Sequence, residues 1–430
     1  MTEHHPEITV GRYLLHRKIA RGGMATIHIA RLLGDVGFSR IVAAKRLHPE
    51  LAGDTEFVSM FLDEARVASK VHHRNVVPVL DVVTMGEEVV LVQEYVHGAP
   101  LSQLLRTINQ AGAHVPVPVA ATIACQVLAG LHAAHETRDE LGTPLHIVHR
   151  DVSPQNVIIA ADGSARLLDF GVAKASGAAH VTRKGIFKGK LSYSAPEQLR
   201  GQANKQSDIY ALGVVLWELL VGHRMHDQVQ NEARLITKII EGNLPTVTEA
   251  LADRRTWIGS YRWGQLAALE PIIRKALDSN LRRRWATAAD MEEAIAAAVP
   301  LAPSADVVAW LRAVGKDFLE ERESMIAEEE ASWRRTVASG VGRPPSEPPA
   351  VIHARAPSEL PPPAPRAPSE PAPPSLSTVR VTPRARVGFA LIAALGLVIA
   401  VVAALLSRDL ASSSTRVAPA ALTAEPPAAP

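Results

Sequence analysis

The sequence predicts an α+β protein, in which a strand-rich region at the amino end is followed by a larger helical region. Residues 12–47 alternate between apolar and polar positions, as strands with one buried face do. From Pro118 onward the apolar residues recur every three or four positions, which is the period of a helix. Residues 343–386 hold 14 prolines, and residues 387–406 are uncharged and apolar. We therefore expect a disordered linker and one membrane-spanning helix after the folded part.

Composition narrows the function classes. The 430 residues are enough for two or three domains, and 47% hydrophobic residues allow a large core. Because 46 basic residues balance 44 acidic ones, the chain lacks the concentrated positive charge of a nucleic-acid-binding protein. Cys125 is the single cysteine, which excludes disulfides within one chain and predicts a small buried side chain. No secretory signal pattern opens the sequence, so we expect the amino end in the cytoplasm.

The stretch over residues 149–171 carries the chemistry. It begins with His149-Arg150-Asp151-Val152-Ser153-Pro154-Gln155-Asn156 and ends with Asp169-Phe170-Gly171. An Asp162-Gly163 turn between two short apolar segments predicts a hairpin, which would bring Asp151, Asn156 and Asp169 to one rim. Mg²⁺, or Mn²⁺ in its place, needs few protein ligands when it also binds phosphates. Asn156 and Asp169 then serve as metal ligands, and Asp151 is left to accept a hydroxyl proton.

At these residues the chain resembles the bacterial Hanks-type (eukaryotic-like) serine/threonine protein kinases. Either tripeptide alone would be weak evidence, but two in order with the asparagine in register are typical of the family. The resemblance extends over residues 12–298. It implies a bilobal fold with a small lobe of five strands and one helix and a large, mainly α lobe. It also implies ATP and Mg²⁺ as cofactors and proteins as substrates.

The resemblance assigns a nucleotide site to the amino-terminal part. Residues 19–27 resemble the family's glycine-rich loop, although its outer two glycines are Ala20 and Ala25 here, and a plain hairpin turn is the alternative. Lys45 ends a strand, and Glu64 follows 19 residues later in an amphipathic helix. The family pairs the two so that the lysine meets phosphates; the alternatives are a solvated edge charge and a surface glutamate. The implied ATP-binding residues are Ile19, Ala20, Arg21, Gly22, Gly23, Met24, Ala25, Thr26, Ile27, Ala43, Lys45, Glu94, Val96 and Ile158.

After residue 171 comes a polar loop that ends in Ala195-Pro196-Glu197 and resembles an activation segment. Phosphate on Thr182, with Ser176 and Ser192 as alternative sites, would neutralise Arg150 and order this loop; the other interpretation is an exposed threonine that is never modified. Family members usually carry lysine where this chain has Ser153, and threonine where it has Lys190. We interpret the two changes as compensating, with the Lys190 ammonium supplying catalytic charge beside Asp151.

Three further residues have structural roles implied by the resemblance. Asp208 would hold the backbone of the catalytic loop from behind. Glu197 would pair with Arg284, which stands in a run of three arginines that could otherwise be a solvated or phosphate-attracting face.

The remaining chain divides by composition. Residues 1–11 are expected to be a tail, and residues 299–342 a helical segment whose apolar stripe packs on the large lobe or forms a dimer contact. Arg380, Arg384 and Arg386 precede the apolar segment, whereas Arg408 follows it, so the kinase domain should lie on the cytoplasmic side of the inner membrane. The alternative to a membrane helix at residues 387–406 is a buried helix of a soluble domain. The predicted domain order is a tail (1–11), the kinase domain (12–298), the helical segment (299–342), the linker (343–386), the membrane helix (387–406) and a short extracytoplasmic tail (407–430).

The sequence thus indicates a single-pass membrane kinase that transfers the ATP γ-phosphoryl group to Ser/Thr hydroxyls of proteins. A homodimer would allow it to phosphorylate its own activation segment in trans. Two alternatives remain: a pseudokinase scaffold that binds nucleotide or partners without transfer, and a small-molecule phosphotransferase of related fold. The scaffold is consistent with Ala20, Ala25 and Ser153, and the small-molecule enzyme would not need an activation segment.

Overall fold

The computed structural model describes residues 8–34, 38–171, 191–227, 229, 231–255 and 258–338. The chain divides into two compact units, residues 1–350 and 351–430, and every described residue belongs to the first. The predicted linker, membrane helix and carboxyl-terminal tail lie outside the described residues.

A six-stranded antiparallel sheet forms the small lobe, where the sequence predicted five strands. Its strands in chain order are β1 (Ile8–Val10), β2 (Tyr13–Arg21), β3 (Ala25–Leu33), β4 (Ser39–Leu47), β5 (Val79–Met85) and β6 (Glu88–Glu94). Across the sheet the order is β1-β2-β3-β4-β6-β5. All five strand pairs are antiparallel, so short connections suffice between most neighbours.

The additional strand, β1, comes from the segment that was predicted to be a tail. Val10 pairs with Tyr13 across a turn in which Gly11 has a φ of +60°, a conformation that favours glycine. Val10 and Tyr13 are each only 1% exposed. The expectation of five strands is therefore wrong, because three residues pair with β2 and bury apolar surface that a free tail would expose.

Helix α2 (Thr55–Ala68), which follows the short α1 (Pro49–Ala52), packs on this sheet. The side chain of Asp54 caps its first turn by accepting a hydrogen bond from the Glu56 N–H at 2.9 Å. Phe61 and Ala65 are buried against the sheet. This packing fixes the rotation of the helix about its axis and thereby the position of Glu64.

The large lobe is helical and has one extensive apolar core. Its helices are α3 (Leu101–Gln110), α4 (Val117–His135), α5 (Pro196–Leu199), α6 (Lys205–Val221), α7 (Glu232–Glu241), α8 (Val247–Ala250), α9 (Ser260–Ala276), α10 (Ala288–Ala298) and α11 (Ser304–Ala338). Among the described residues, two short 3₁₀ turns span Pro154–Asn156 and Ala252–Arg254. Helices α4 and α6 pack on each other in the centre of the core, and every residue from 207 to 221 is buried.

Helix α4 is the one helix among the described residues that is long and apolar enough to cross a membrane, and 72% of its apolar window is buried. Such burial is typical of a core helix. Cys125 lies on α4, where burial raises the pKa of its thiol to about 12, so the thiol stays protonated and packs as a small apolar group.

A second sheet has three strands, β7 (Gly98–Pro100), β8 (Val157–Ala160) and β9 (Ala165–Leu167). Strands β8 and β9 are antiparallel and form the hairpin that the sequence predicted. The Asp162 side chain accepts hydrogen bonds from the backbone N–H of Ser164 at 2.8 Å and from its hydroxyl at 2.6 Å, while Gly163 has a φ of +82°. This turn chemistry is local, which is why sequence reasoning found the hairpin.

A buried carboxyl group lies near the carboxyl end of α6. Glu218 is 2% exposed and accepts hydrogen bonds from the Tyr193 hydroxyl at 2.8 Å and the Met225 N–H at 3.2 Å. Burial raises its pKa to about 7; the two hydrogen bonds and Arg224 oppose the rise, and Asp227 adds to it.

Glu218 should therefore destabilise the fold as pH rises. Its pKa is higher in the folded protein than the usual 4.5, so folding is favoured while the group is protonated and is disfavoured as pH rises from about 4.5 to about 7. Each pKa unit is worth about 1.4 kcal/mol, so the loss should approach about 3 kcal/mol. The Glu218→Gln variant, which stays neutral, should gain stability relative to the parent over this window.

Urea unfolding at about pH 5 and about pH 8 measures this difference. The matched control is Glu140→Gln, which alters an exposed glutamate, and its stability should follow the parent at both pH values. An unchanged gap between Glu218→Gln and the parent at the two pH values would contradict the assignment of a raised pKa.

Helix α11 falls within the predicted helical segment 299–342. Trp310 and Leu311 are buried, and Val314 and Phe318 pack against the large-lobe core. The apolar stripe thus lies on the large lobe. The helix continues past this stripe and also contacts the small lobe, which the sequence did not indicate.

Candidate active site

The catalytic loop over residues 149–156 is held by Asp208 of α6. The Asp208 carboxylate accepts hydrogen bonds from the backbone N–H groups of His149 and Arg150, each at 2.8 Å. His135, at the end of α4, lies 2.8 Å from the same carboxylate. Arg150 has a φ of +63°, which is costly for a side chain larger than glycine. The structural role expected for Asp208 therefore matches its position, because its two bonds stabilise a strained turn.

Asp151 and Asn156 are joined directly. The Asn156 side-chain amide, oriented by its hydrogen bonds, donates to the Asp151 backbone carbonyl at 2.8 Å and to its carboxylate at 3.0 Å. The 3₁₀ turn Pro154–Asn156 brings the asparagine back toward the aspartate. This contact fixes the rotamer of Asp151. Both bonds use the side-chain nitrogen of Asn156, so neither of them uses its side-chain carbonyl oxygen.

His149 supports the loop as a neutral ring. Burial lowers its pKa. Its Nε2 lies 2.9 Å from the Leu168 carbonyl and its Nδ1 lies 3.3 Å from the Asp151 N–H, so the tautomer that satisfies both contacts donates from Nε2 and accepts at Nδ1. The ring also packs on Phe170, with centroids 4.8 Å apart. The two ends of the predicted catalytic stretch are thus joined through one histidine.

Gly171 is required by close packing. A Cβ at this position would lie 2.8 Å from the Asp151 Cβ, and its N–H donates to the His149 carbonyl at 2.8 Å. A larger residue would therefore displace the catalytic loop.

Lys45 lies between two carboxylates. Its ammonium is 2.6 Å from Glu64 and 3.1 Å from Asp169, so strand β4, helix α2 and the end of the hairpin meet at one point. Burial disfavours the charge on Lys45, but Asp169 and Glu64 outweigh it and raise its pKa. Burial also raises the pKa of Glu64, and the ammonium opposes that rise. We assign the Lys45–Glu64 contact as a charged pair because of its short distance.

The loop over residues 19–27 consists of the end of β2, a turn at residues 22–24 and the start of β3. The Gly22 N–H donates to the Ala25 carbonyl at 2.8 Å and closes the turn. Ala20 lies on β2 and Ala25 begins β3, and neither has a positive φ. The two alanines that replace the family's outer glycines therefore adopt strand conformations that alanine accepts without strain.

The adenine side of the cleft begins at the end of β6. The Glu94 N–H donates to the Pro78 carbonyl at 3.1 Å, so the backbone group of Glu94 that could meet an adenine is its carbonyl. Ala43 lies on β4, two residues before Lys45, and Ile158 lies on β8, two residues after Asn156. They belong to opposite lobes, as residues lining two walls of a nucleotide cleft would.

The Glu197–Arg284 pair is buried. Arg284 contacts the two Glu197 carboxylate oxygens at 2.6 and 3.2 Å, and the Ser207 hydroxyl donates to the same carboxylate at 2.7 Å. Burial would raise the pKa of Glu197, but the hydrogen bonds from Arg284 and Ser207 outweigh it and lower the pKa. Of the three arginines in the run, Arg284 is therefore the one that pairs with Glu197, and it ties α5 to the loop before α10.

Three predicted residues remain untested. Lys190, Thr182 and the alternative phosphosite Ser176 lie outside the described residues. Ser153 is buried, and its hydroxyl has no hydrogen-bond partner among the described residues.

Sequence reasoning missed two supporting contacts. One is His135 on Asp208; the other is the Gln198 side-chain amide, which donates to the Arg150 carbonyl at 2.8 Å. The one sequence cue for the contact of Gln198 was its position directly after Glu197, which the sequence analysis had already given a structural role.

The donor set suits a hard cation. Asn156 and Asp169 offer an amide oxygen and a carboxylate, the ligand types that Mg²⁺ prefers when substrate phosphates complete its shell. No group of three or more His, Cys, Asp or Glu able to hold a metal occurs in the described part of the chain. The residues therefore fit a magnesium ion that arrives with a nucleotide.

Two lobes, a lysine held by two carboxylates and an aspartate oriented on a rigid loop define the class of ATP-dependent phosphotransferases. The family model described as the protein kinase domain matches residues 13–294. The chain belongs to the protein kinase family.

Curated relatives are bacterial kinases. The chain is 38% identical over 286 residues to the tyrosine-protein kinase MasK of Myxococcus xanthus, covering 66% of this chain and 42% of MasK. It is 39% identical over 215 residues to the serine/threonine-protein kinase PknL of Mycobacterium tuberculosis, covering 49% of this chain and 50% of PknL. It is 33% identical over 285 residues to PrkC of Bacillus subtilis, covering 66% of this chain and 40% of PrkC. The matches thus span half or less of each relative.

A solved structure agrees on the fold. The crystal structure of the Mycobacterium tuberculosis PknI kinase domain has a TM-score of 0.50 and 22% identity, and the match covers 69% of this chain and 99% of that domain. At this identity the likeness concerns the fold alone.

Proposed function

We propose that this protein is a kinase that transfers the γ-phosphoryl group of ATP to serine and threonine hydroxyls of proteins. The observation that supports it most is the position of Lys45 between Glu64 at 2.6 Å and Asp169 at 3.1 Å. A cation that would bind phosphates and a carboxylate that would bind the metal thus lie within 3.1 Å of each other, which is what this function needs. The relatives named serine/threonine-protein kinases support the same class of substrate.

Each residue has a distinct role in binding. The backbone N–H groups of the loop over residues 19–27 would cover the ATP phosphates, and Lys45, aimed by Glu64, would contact the α- and β-phosphates. Asn156 and Asp169 would hold Mg²⁺, which supplies charge neutralisation on the phosphate oxygens when bound. Together these groups orient the γ-phosphorus toward Asp151.

Asp151 would act on the accepting hydroxyl. The hydroxyl oxygen of the protein substrate forms a bond to the γ-phosphorus, the bond from that phosphorus to the β,γ-bridging oxygen breaks, and ADP leaves. The Asp151 carboxylate takes up the hydroxyl proton. Because Asn156 holds this carboxylate at 3.0 Å, little reorganisation is needed when the substrate arrives.

The direct test incubates the full chain with radiolabelled ATP, Mg²⁺ and a generic protein substrate, followed by phosphoamino-acid analysis. Label on phosphoserine or phosphothreonine supports the proposal. Label on phosphotyrosine alone would indicate a tyrosine kinase, which is the activity in the name of MasK, and would contradict the proposal. Absence of label together with retained nucleotide binding would favour the pseudokinase scaffold.

Membrane attachment is part of the proposal. Residues 387–406 would cross the inner membrane once, with the kinase domain in the cytoplasm, because the arginines cluster on the amino side of this segment. Alkaline extraction of cell membranes should leave the full chain in the pellet and release a chain that ends at residue 386. Release of the full chain would contradict this part.

Autophosphorylation on Thr182, in trans within a homodimer, completes the proposal. Phosphate there would meet the charge of Arg150 and order the activation segment. Mass spectrometry of the purified chain should find phosphate on Thr182, and its amount should rise with protein concentration if the transfer occurs between two molecules.

Lys190 gives a separate prediction. Because Ser153 replaces the family's usual lysine, Lys190→Ala should lower the rate of transfer by about tenfold to a hundredfold, as loss of a positive charge at the transferring phosphoryl group would. The matched control is Lys70→Ala, which removes an exposed lysine after α2. Equal rates for the two variants in the same assay would show that Lys190 does not compensate for Ser153.

A further inference from the structure

Helix α11 lies beyond the residues that the kinase family model matches, yet it packs on the kinase fold. Its first half belongs to the large lobe: Val307 and Leu311 are fully buried. A Cβ on Gly315 would lie 2.9 Å from a side-chain methyl of Leu104, so the helix approaches α3 closely at this glycine. These contacts anchor the helix to the large lobe.

The middle of α11 crosses the connection between the lobes. Glu323 lies 3.2 Å from His97, which follows β6 in the chain. The residue before Glu323 is Arg322, and its Nη2 donates a hydrogen bond to the backbone carbonyl of Ile19 at 2.9 Å. Ile19 is the first residue of the loop that would cover the nucleotide phosphates. A residue 303 positions away in the chain therefore contacts the base of this loop.

Arg322 is held in place by its own helix. Its guanidinium lies 5.0 Å from the ring centroid of Phe318 and 3.7 Å from the sulfur of Met325. Residues at these spacings share one face of a helix. The side chain is thus ordered before it reaches Ile19, so less conformational entropy is lost in making that hydrogen bond.

The last turns of α11 pair with the two strands that flank the loop. Three consecutive glutamates contact strand side chains: Glu328 with Arg17 at 3.1 Å, Glu329 with His16 at 3.0 Å and Glu330 with Arg31 at 2.8 Å.

The contacts of Arg31 hold the carboxyl-terminal part of α11 against the small lobe. Its side chain is 2% exposed, and Trp333 of α11 lies beneath its guanidinium at 5.2 Å. The exposed Arg17–Glu328 pair contributes little by comparison, because solvent screens it. Arg31 is therefore the principal anchor on the small lobe, and Arg322 is the contact nearest the nucleotide.

We propose that α11 is an interlobe strap and that Arg322 is a positioning residue for phosphoryl transfer, which fixes the nucleotide-covering loop through the carbonyl of Ile19. The inference rests on the proposed function, because the loop matters only if ATP binds beneath it. Arg322 does not touch the reacting atoms. Its effect should appear in the affinity for ATP and in the order of the loop rather than in the chemical step.

The test compares Arg322→Ala, Arg322→Lys and the control Arg335→Ala in the full chain. Arg335 is an exposed arginine on the same helix. Arg322→Ala should raise the KM for ATP by about tenfold, the effect expected for losing one hydrogen bond from a charged donor, with kcat changed less than about twofold. Arg322→Lys should restore part of the affinity, because one ammonium can still donate to one carbonyl.

Hydrogen–deuterium exchange separates this inference from the proposed activity. Without nucleotide, the peptide over residues 19–27 should exchange faster in Arg322→Ala than in the parent or in Arg335→Ala, whether or not the protein phosphorylates anything. Equal exchange in all three proteins, or a fall in kcat with an unchanged KM, would overturn the positioning role.

The unmutated chain offers a second readout, which does not depend on a variant that folds. Because coupling between two sites is reciprocal, ATP that orders the loop should also slow exchange in residues 318–333 of α11. Protection of residues 19–27 by ATP with no change in α11 would contradict the strap.

Discussion

Replacing Asp151 with asparagine should lower phosphoryl transfer by about a hundredfold to ten-thousandfold, the range that general acid–base groups contribute. The amide has nearly the shape of the carboxylate but does not accept the hydroxyl proton. The fold should be retained, because the oxygen of the new amide can still accept the hydrogen bond that Asn156 now donates at 3.0 Å. This variant should therefore lose phosphoryl-transfer activity while keeping the stability of the parent.

The measurement is the initial rate of label transfer to protein, with the affinity for ATP and the thermal midpoint recorded for the same samples. Asp253→Asn is the matched control, since it makes the same chemical change at an exposed aspartate in the large lobe. The control should keep the parent rate. A rate for Asp151→Asn above about one tenth of the parent would mean that another group accepts the proton or that proton removal is not needed.

Replacing Glu197 with alanine should destabilise the large lobe by about 3–5 kcal/mol, the cost of leaving one member of a buried ion pair without its partner. The Arg284 side chain is fully buried, and it contacts Glu197 at 2.6 Å. Removing the carboxylate leaves the buried charge of Arg284 without an anionic partner. The guanidinium keeps its hydrogen bonds to the backbone carbonyls of Asp278 and Gln206.

Urea unfolding followed by tryptophan fluorescence measures this cost, and the buried Trp217 is one of the six tryptophans that contribute to the signal. The comparison is Arg283→Ala, whose side chain is 69% exposed in its pair with Asp278 and which should cost about 1 kcal/mol or less. Similar costs for the two variants would mean that the Glu197–Arg284 pair adds no more than a surface contact.

The pH dependence of this pair has a definite sign. The pKa of Glu197 is lower in the folded protein than its usual 4.5, so its stabilising contribution is present above about pH 4.5 and is lost as the pH falls through the folded value. The gap between the parent and Glu197→Ala should therefore narrow below about pH 4.5. This is opposite to the trend expected for Glu218.

The catalytic stretch was predictable because its structure is largely local. The hairpin between β8 and β9 follows from one turn, and Asp151, Asn156 and Asp169 lie within 19 residues of one another in the chain. The contact of Lys45 with Glu64 joins distant segments. It was predicted only through resemblance to a family, since spacing alone left a surface glutamate as the alternative. The contact of Lys45 with Asp169 was not predicted, and the structure alone shows it.

The number of strands was not predictable from local pattern. The three residues of β1 are too few to show a period, and their partner strand decides whether they pair or remain free. The sequence-based roles of Lys190 and Thr182 and the membrane helix over residues 387–406 stay predictions, since they fall outside the described residues.

The sequence by itself determined the order of the chemical groups and the turn that gathers the carboxylates, because turn formation and side-chain chemistry depend on neighbours in the chain. Only the tertiary structure decided that His135 and Asp208 meet behind the catalytic loop and that Arg322 reaches Ile19. Such contacts depend on how whole helices pack. Charged residues on α11 have the same local pattern whether they face water or cross to the other lobe, and packing alone distinguishes the two.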